Sequence, residues 1–160
     1  AIQLTELVKG FNMKIQAYSK SLSQRKNEFP NISSITLDEL ISSSDIISFH
    51  CKSTKDGKPI INIEHMKKMK PNAIVINTAR GNIIDENDLN KALNDNLILG
   101  AAVDVFSDEP AESNILFNNP KAILTPHIAA STIESQINVA KMIAEQISNY
   151  LLKGELVNSV

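Results

Sequence analysis

Polar and charged residues follow the short apolar runs of the sequence, and two of them could bind anions or transfer protons. Arg80 carries a planar fork of donors, which can grip a carboxylate in two places. Histidine titrates near neutral pH, so His127 could supply or remove a proton. Each also has an ordinary interpretation, as a surface arginine and a loop histidine. The segments after the apolar runs are residues 19–20, 50–51, 78–81, 104–106 and 126–128.

The apolar runs predict the strands that would position these residues. They are rich in Ile and Val with little polar alternation, which is typical of strands covered on both faces. Thr36 with Glu39, and Ser131 with Glu134, have the spacing of capping boxes at helix starts between the runs. Asp85 is a further expected N-cap. Because parallel neighbours need a crossover helix, the alternation predicts a Rossmann-like, doubly wound parallel α/β sheet. The predicted strands are residues 13–18, 45–49, 73–77, 99–104 and 122–125.

Composition narrows the class of protein. The chain has 160 residues, of which 42% are hydrophobic and 21% charged, and its net charge is −2. This composition is typical of a globular domain, and the absence of a basic stripe argues against a nucleic-acid partner. No apolar run approaches the roughly 18 residues that a membrane span needs. Cys51 is the single cysteine, so no internal disulfide can form, and we expect a cytoplasmic protein.

Three segments, taken together, resemble the signature stretches of the D-isomer-specific 2-hydroxyacid dehydrogenases. They are residues 77–86 (NTARGNIIDE), 100–110 (GAAVDVFSDEP) and 125–132 (TPHIAAST), in the order and at the kind of spacing found in that family. The resemblance extends over nearly the whole chain. It implies hydride transfer between NAD, or else NADP, and a small D-2-hydroxy acid or 2-keto acid. It also implies a homodimer or a higher homo-oligomer.

The resemblance also implies the roles of the site residues. Arg80 would bind the substrate carboxylate and polarise its carbonyl, and His127 would be the acid–base group that contacts the substrate. Glu109 would fix the tautomer of the histidine and favour its charged form. Asp104 would hold the nicotinamide carboxamide. Glu109 could instead be simply solvated, and Asp104 could cap a turn. The other cofactor-binding residues expected, beside Arg80 and His127, are Ser19, Cys51, Thr78, Ala79, Ile128, Ala129 and Ala130. No metal site is expected.

The family's G-x-G-x-x-G fingerprint, which binds the pyrophosphate at a helix N-terminus, does not occur in the sequence. It would be expected before the first helix. We therefore expect residues 1–160 to be a partial NAD(P)-binding domain, truncated at its first strand. The substrate domain would be absent apart from the C-terminal return helix. Such a fragment should bind the cofactor poorly and be inactive alone.

Two positions depart from the family pattern. A site that prefers NAD usually has Asp or Glu after its second strand, where it bonds the ribose 2′-hydroxyl. Ser19 occupies that place, followed by Lys20 and Arg25, so that NADP becomes an alternative to NAD. Lys52 stands where the family usually has a proline, in a segment that lines the adenine side. Cys51 beside it is interpreted as a wall residue and not as a nucleophile.

The substrate stays open at this level. Residues 138–158 resemble most the members of the family that oxidise 3-phosphoglycerate at the start of serine synthesis. The alternatives are glyoxylate, hydroxypyruvate or a D-lactate-type acid, because the residues that would choose among them lie in the substrate domain. A different class is a non-catalytic nucleotide-sensing protein, since some relatives act as transcriptional corepressors.

Overall fold

Strands and helices alternate along the first of two compact units, Ala1–Pro126, and one long helix dominates the second, His127–Val160. The computed structural model describes residues 1–19, 22 and 29–157. The elements in chain order are α1 (Ile2–Leu7), a 3-10 helix (Val8–Phe11), β1 (Gln16–Ala17), β2 (Ser33–Ser34), α2 (Leu37–Ser43), β3 (Ile46–Phe49), α3 (Ile63–Met66), β4 (Ile74–Asn77), a 3-10 helix (Gly81–Ile83), α4 (Glu86–Asn94), β5 (Gly100–Val103), β6 (Ala122–Leu124) and α5 (Ile133–Lys153).

The strands of the first unit form two parallel sheets. The larger sheet has four strands in the order β3-β4-β5-β6, and β1 pairs with β2 in a smaller one. Four of the five predicted strands therefore lie side by side, each separated from the next by helices or loops that return the chain. The Rossmann-like parallel fold predicted from the sequence is confirmed.

The prediction that residues 13–18 add a fifth strand to the same sheet is wrong. Only Gln16–Ala17 is a strand, and its backbone bonds run to the segment of β2, where the Ile35 amide donates to the Ala17 carbonyl at 3.1 Å. A strand joins a sheet through such backbone bonds, so β1 belongs with β2. The sequence pattern missed β2 because its two residues are both serines.

One face of the four-stranded sheet is buried and the other is partly open. Side chains of the buried face pack with residues of α2, α3 and α4 into one apolar core. On the opposite face, Ile46 is 47% exposed and Ile123 is 73% exposed, so the prediction of strands covered on both faces holds for one face only. The buried side chains of the sheet are Ile47, Phe49, Val75, Asn77, Ala101 and Val103.

Two helix starts of the first unit, those of α2 and α4, follow the predicted capping chemistry. Thr36 Oγ1 accepts from the Glu39 amide at 3.2 Å, and the Glu39 carboxylate accepts from the Thr36 amide at 2.9 Å. This reciprocal pair is the predicted capping box, and it satisfies two otherwise unpaired amides. Asp85 caps α4 as predicted, because its carboxylate accepts from the Asp88 amide at 3.0 Å.

The predicted capping box at Ser131 and Glu134 is wrong, because α5 begins one residue later. Thr132 is its N-cap and accepts from the Ser135 amide at 3.1 Å. The Ser131 amide donates to the Ile128 carbonyl at 2.9 Å, so Ser131 closes a turn before the helix. Either of two adjacent hydroxyl residues can cap a helix. Here the turn that Ser131 closes leaves Thr132 as the N-cap.

Helix α5 carries apolar side chains that are exposed. None of its described residues is buried, and Ile133 and Leu152 are 77% and 79% exposed. Within residues 1–19, 22 and 29–157, no helix combines the length and the apolar character that a bilayer span requires.

Candidate active site

The carboxyl ends of the four main strands form one edge of the sheet, which we name the carboxyl edge. The last residues of these strands, from Phe49 through Asn77 and Val103 to Leu124, pair in register. The residues that follow them are therefore neighbours along this edge, where ligands bind in open parallel sheets. Those following residues are His50, Thr78, Asp104 and Thr125.

A buried asparagine shapes the turn that carries Arg80. Asn77 is 1% exposed; its Nδ2 donates to the Arg80 carbonyl at 2.9 Å, and its Oδ1 accepts from the Ala79 amide at 3.2 Å. The Arg80 side chain is exposed, with Nη1 donating to the Ala79 carbonyl at 2.6 Å. A guanidinium carries five donors, which is more than this contact uses. Thr78 is exposed and Ala79 half-buried in the same turn.

Asp104 is the buried carboxylate of the carboxyl edge. It is 4% exposed, its amide donates to the Asn77 carbonyl at 2.9 Å, and its Oδ1 accepts from the Thr125 hydroxyl at 2.5 Å. A buried charge is costly unless hydrogen bonds satisfy it, so Thr125 helps to keep it there. The sequence pattern did not single out Asn77 or Thr125. A polar residue at the end of an apolar strand was the signal for Asn77.

Glu109 lies in the loop after β5, on the same unit as Arg80. Its Oε1 accepts from the Phe106 amide at 2.8 Å. A second carboxylate, Glu86 of α4, accepts from the Ser107 amide at 2.7 Å and from the Ser107 hydroxyl at 2.8 Å. The loop that carries Glu109 is thus held by carboxylates at two successive amides. The sequence alone indicated no contact between Glu86 and this loop.

His127 begins the second unit, and its backbone is unusual. Its φ of 53° places it in the left-handed region, which few residues other than glycine adopt. Such conformations cluster at functional sites, where the surrounding structure maintains them. His127 is exposed, as are Ile128, Ala129 and Ala130 behind it. Because Glu109 belongs to the first unit, its pairing with the His127 ring stays a prediction.

The segment after β3 supplies two further titratable groups. His50 Nε2 lies 3.0 Å from Ser48 Oγ, and partial burial, together with the charge of the N-terminus, lowers the pKa of the imidazole. Burial raises the pKa of the Cys51 thiol. A raised pKa leaves less of the reactive thiolate, which suits a wall residue better than a nucleophile. That Cys51 lines the cofactor site stays a prediction.

Ser19 lies outside the strands; it follows β1 of the smaller sheet after one intervening residue and does not follow a strand of the four-stranded sheet. The predicted cations Lys20 and Arg25 lie outside the described residues. In the part of the chain that the structure describes, no three His, Cys, Asp or Glu side chains come together as a metal site would require.

Comparison with known proteins gives consistent matches. The family model described as D-isomer specific 2-hydroxyacid dehydrogenase, NAD binding domain, matches residues 1–129. The D-3-phosphoglycerate dehydrogenase of Synechocystis sp. is 42% identical over 146 residues, covering 91% of this chain and 26% of the relative. The glyoxylate reductase of Thermococcus litoralis is 38% identical over 153 residues, covering 96% of this chain and 46% of the relative. The chain spans between about a quarter and a half of the curated relatives it matches.

Solved structures match the fold over nearly the whole chain. An acyclic imino acid reductase in complex with NADPH and D-Arg has a TM-score of 0.84 and 32% identity, covering 97% of this chain and 48% of that one. A glyoxylate reductase from Paecilomyes thermophila has a TM-score of 0.81 and 29% identity, covering 97% and 47%.

Proposed function

Because the chain belongs to the D-isomer specific 2-hydroxyacid dehydrogenases, as part of their NAD-binding domain, we propose that the protein transfers a hydride between a nicotinamide cofactor and a small D-2-hydroxy acid. The observation that carries the proposal is the placement of Arg80 and Asp104 after neighbouring strands, at the edge where open parallel sheets bind ligands. An exposed guanidinium and a buried carboxylate at one edge suit an anionic substrate beside a polar cofactor amide.

The residues of the carboxyl edge fit a nicotinamide cofactor. A carboxylate has about four acceptor sites, so Asp104 can accept from a carboxamide in addition to the Thr125 hydroxyl. Thr78 and Ala79, which follow the neighbouring strand β4, are small and would leave space for the nicotinamide ring. When bound, the cofactor supplies the hydride, and the protein's part is to orient the reactants.

Each proposed side chain has a separate task. Arg80 binds the carboxylate of the keto acid through two parallel hydrogen bonds and polarises the adjacent carbonyl. Negative charge then develops on the carbonyl oxygen, and His127 donates a proton to it; in the oxidation direction, His127 removes the hydroxyl proton. Glu109 stabilises the positive charge of the protonated histidine.

The test requires a polypeptide that includes a substrate domain. Residues 1–157 would replace the matching segment of the Synechocystis sp. relative, and 2-keto acid reduction would be measured in this chimaera. We expect His127→Ala to lower kcat roughly a hundredfold to ten-thousandfold, as removal of a proton-transfer group does. Arg80→Ala should raise KM and lower kcat together. Lys91→Ala, an exposed cation paired with Asp95 on α4, is the matched control and should change neither. Full activity of the His127→Ala chimaera would exclude the proposed mechanism.

For the substrate, we propose 3-phosphoglycerate, because residues 138–158 resemble most the enzymes that act on it. Glyoxylate is the second candidate, since a glyoxylate reductase from Thermofilum pendens is 43% identical over 130 residues, against 42% for the Synechocystis sp. dehydrogenase. Identity alone therefore does not separate the two. The ratio of kcat/KM for 3-phosphohydroxypyruvate and glyoxylate, measured with the natural full-length protein, decides between them.

A further inference from the structure

Glu86 makes more contacts than a helix start requires. Its Oε1 accepts from the Ser107 amide at 2.7 Å, and its Oε2 accepts from the Ser107 hydroxyl and from Asn114 Nδ2, both at 2.8 Å. These partners lie 21 and 28 residues along the chain, beyond β5. Asp85, not Glu86, caps the helix. Both oxygens of Glu86 are therefore used to hold one distant loop.

Gly81 also packs closely against this loop. It is buried, and a Cβ added to it would overlap the Phe106 carbonyl group and the Ser107 amide nitrogen. All of these are backbone atoms, so they cannot move aside as a flexible side chain would. Since Gly81 follows Arg80 directly, the turn that carries the proposed substrate-binding arginine rests against the peptide bond that Glu86 holds.

Phe106 is consequently fixed at both of its peptide bonds. Its amide donates to Glu109 Oε1 at 2.8 Å; on its carbonyl side, the carbonyl group lies close to Gly81, and the amide of the same peptide bond donates to Glu86. We propose that Glu86 is a positioning residue. It holds the loop of Phe106 and Ser107, and this fixes the position of the Glu109 carboxylate relative to the turn that carries Arg80. The importance of these relative positions for catalysis rests on the proposed function, whereas the contacts of Glu86 do not depend on it.

The physical basis is the strength and the placement of these bonds. Hydrogen bonds from amides to carboxylates are charge-assisted and roughly twice as strong as neutral ones. Ser107 and Glu109 are exposed, so packing contributes little to fixing them. Without Glu86, the loop keeps the Glu109 contact, but Ser107 and Asn114 lose their hydrogen bonds to α4, and the Glu109 side chain samples more positions. A displacement of about 1 Å in a catalytic group can cost on the order of a hundredfold in rate.

Amide hydrogen exchange in the 160-residue chain tests the structural half of the proposal. We expect Glu86→Gln to speed exchange of both the Ser107 and Phe106 amides by on the order of tenfold, since a hydrogen bond to a charged group is weakened. Asn87→Ala, an exposed change in the same helical turn, should leave both unchanged. Faster exchange at Ser107 alone would overturn the proposal, because Glu86 would then not act on Phe106. Amides of β4 and β5 serve as internal references for global unfolding.

Ser107→Ala provides a second variant if Glu86→Gln does not fold. It removes only the hydroxyl donor to Glu86 and keeps the amide. We expect an increase in Phe106 exchange that is smaller than that of Glu86→Gln but measurable against the same references. No increase would overturn the proposal, because the loop would then not depend on Glu86. These readouts need no enzyme activity, so they stay valid if the proposed function fails.

The functional half is tested in the chimaera by the pH dependence of the rate. Loss of the Glu109 position should displace the pH profile of keto-acid reduction in the same direction as Glu109→Gln does. Glu86→Gln added to Glu109→Gln should give no further displacement, because coupled residues are non-additive. An unshifted profile for Glu86→Gln, with only a lower thermal stability, would reduce Glu86 to a structural residue.

Discussion

Asp104, Glu109 and Glu86, three carboxylates near the end of β5, show how the surroundings of an acidic side chain determine its role. Asp104 is 4% exposed and bound to a hydroxyl, so it is held as a fixed acceptor at the carboxyl edge. Glu109 is exposed, and its Oε1 accepts from the Phe106 amide. Glu86 is half-buried and uses both of its oxygens on one loop. In the proposed mechanism, the same functional group would serve as an acceptor for the cofactor in Asp104, as an electrostatic partner of His127 in Glu109, and as the residue that positions the loop in Glu86.

The role proposed for Glu109 predicts a directional pH effect. Glu109→Gln keeps a hydrogen-bonding group but removes the negative charge that favours protonated histidine. Keto-acid reduction needs the protonated form, so its rate in the chimaera should begin to fall at a lower pH than in the parent. Hydroxy-acid oxidation, which needs the neutral form, should suffer less at high pH. Rates measured against pH in both directions check this, and coincident profiles for parent and variant would show that Glu109 does not act on His127.

Ser19 predicts a change in cofactor preference. A carboxylate at this position would bond a ribose 2′-hydroxyl and repel a 2′-phosphate. We therefore expect Ser19→Asp in the chimaera to raise the ratio of kcat/KM with NAD to kcat/KM with NADP. Ser19→Asn, which adds a similar volume without charge, is the control. If both variants left the ratio unchanged, another residue would discriminate between the cofactors.

Much of the candidate site could be predicted because its residues follow strands in the sequence. Arg80 and Asp104 stand next to apolar runs, and a parallel sheet brings the ends of those runs together. Glu86 and Thr125 could not be assigned in the same way. Their roles depend on partners 21 to 28 residues away, and no local pattern encodes such contacts.

The elements were predictable to the extent that their signals are local. Apolar runs identified the four strands of the main sheet, and short-range capping contacts identified the starts of α2 and α4. The pairing of β1 with β2 was not predictable, since it depends on backbone bonds between two short segments of weak pattern. The start of α5 was misplaced by one residue, because two hydroxyl side chains compete for one cap.

The observed cap of α5 predicts unequal effects of two adjacent mutations. Thr132→Ala removes the side chain that accepts from the Ser135 amide, and it should lower the stability of the helix by about 1 kcal/mol. Ser131→Ala should change it by less than about 0.5 kcal/mol, as for most surface substitutions. Helicity measured against urea concentration compares them. A larger loss of helix stability for Ser131→Ala than for Thr132→Ala would show that Ser131 is the N-cap, as predicted from the sequence.

Taken as one polypeptide, the chain combines a sheet unit that carries Arg80, Asp104 and Glu109 with a helical unit that begins at His127. The proposed chemistry therefore requires residues of both units. The homo-oligomer implied by the family resemblance stays a prediction, which light scattering of the natural protein would test.

Cofactor affinity should depend on whether a glycine-rich pyrophosphate-binding motif is present. The chain has five glycines, and they form no G-x-G-x-x-G motif. Because that motif supplies backbone donors to the pyrophosphate, we expect residues 1–160 alone to bind NAD more weakly than the chimaera does. Isothermal titration of both proteins with NAD makes the comparison. Equal affinities would show that the cofactor is held without the motif.

The contact between Gly81 and the Phe106 peptide also has a genetic consequence. Every missense change of a glycine codon introduces a Cβ, so no substitution at Gly81 is conservative. Gly10 has no atom within 4 Å of an added Cβ, and its codon should tolerate alanine and serine freely. In a library of random variants selected for function, the two glycines should therefore differ in how many substitutions they tolerate. Position 81 should remain glycine in almost every selected variant, whereas position 10 should accept substitutions.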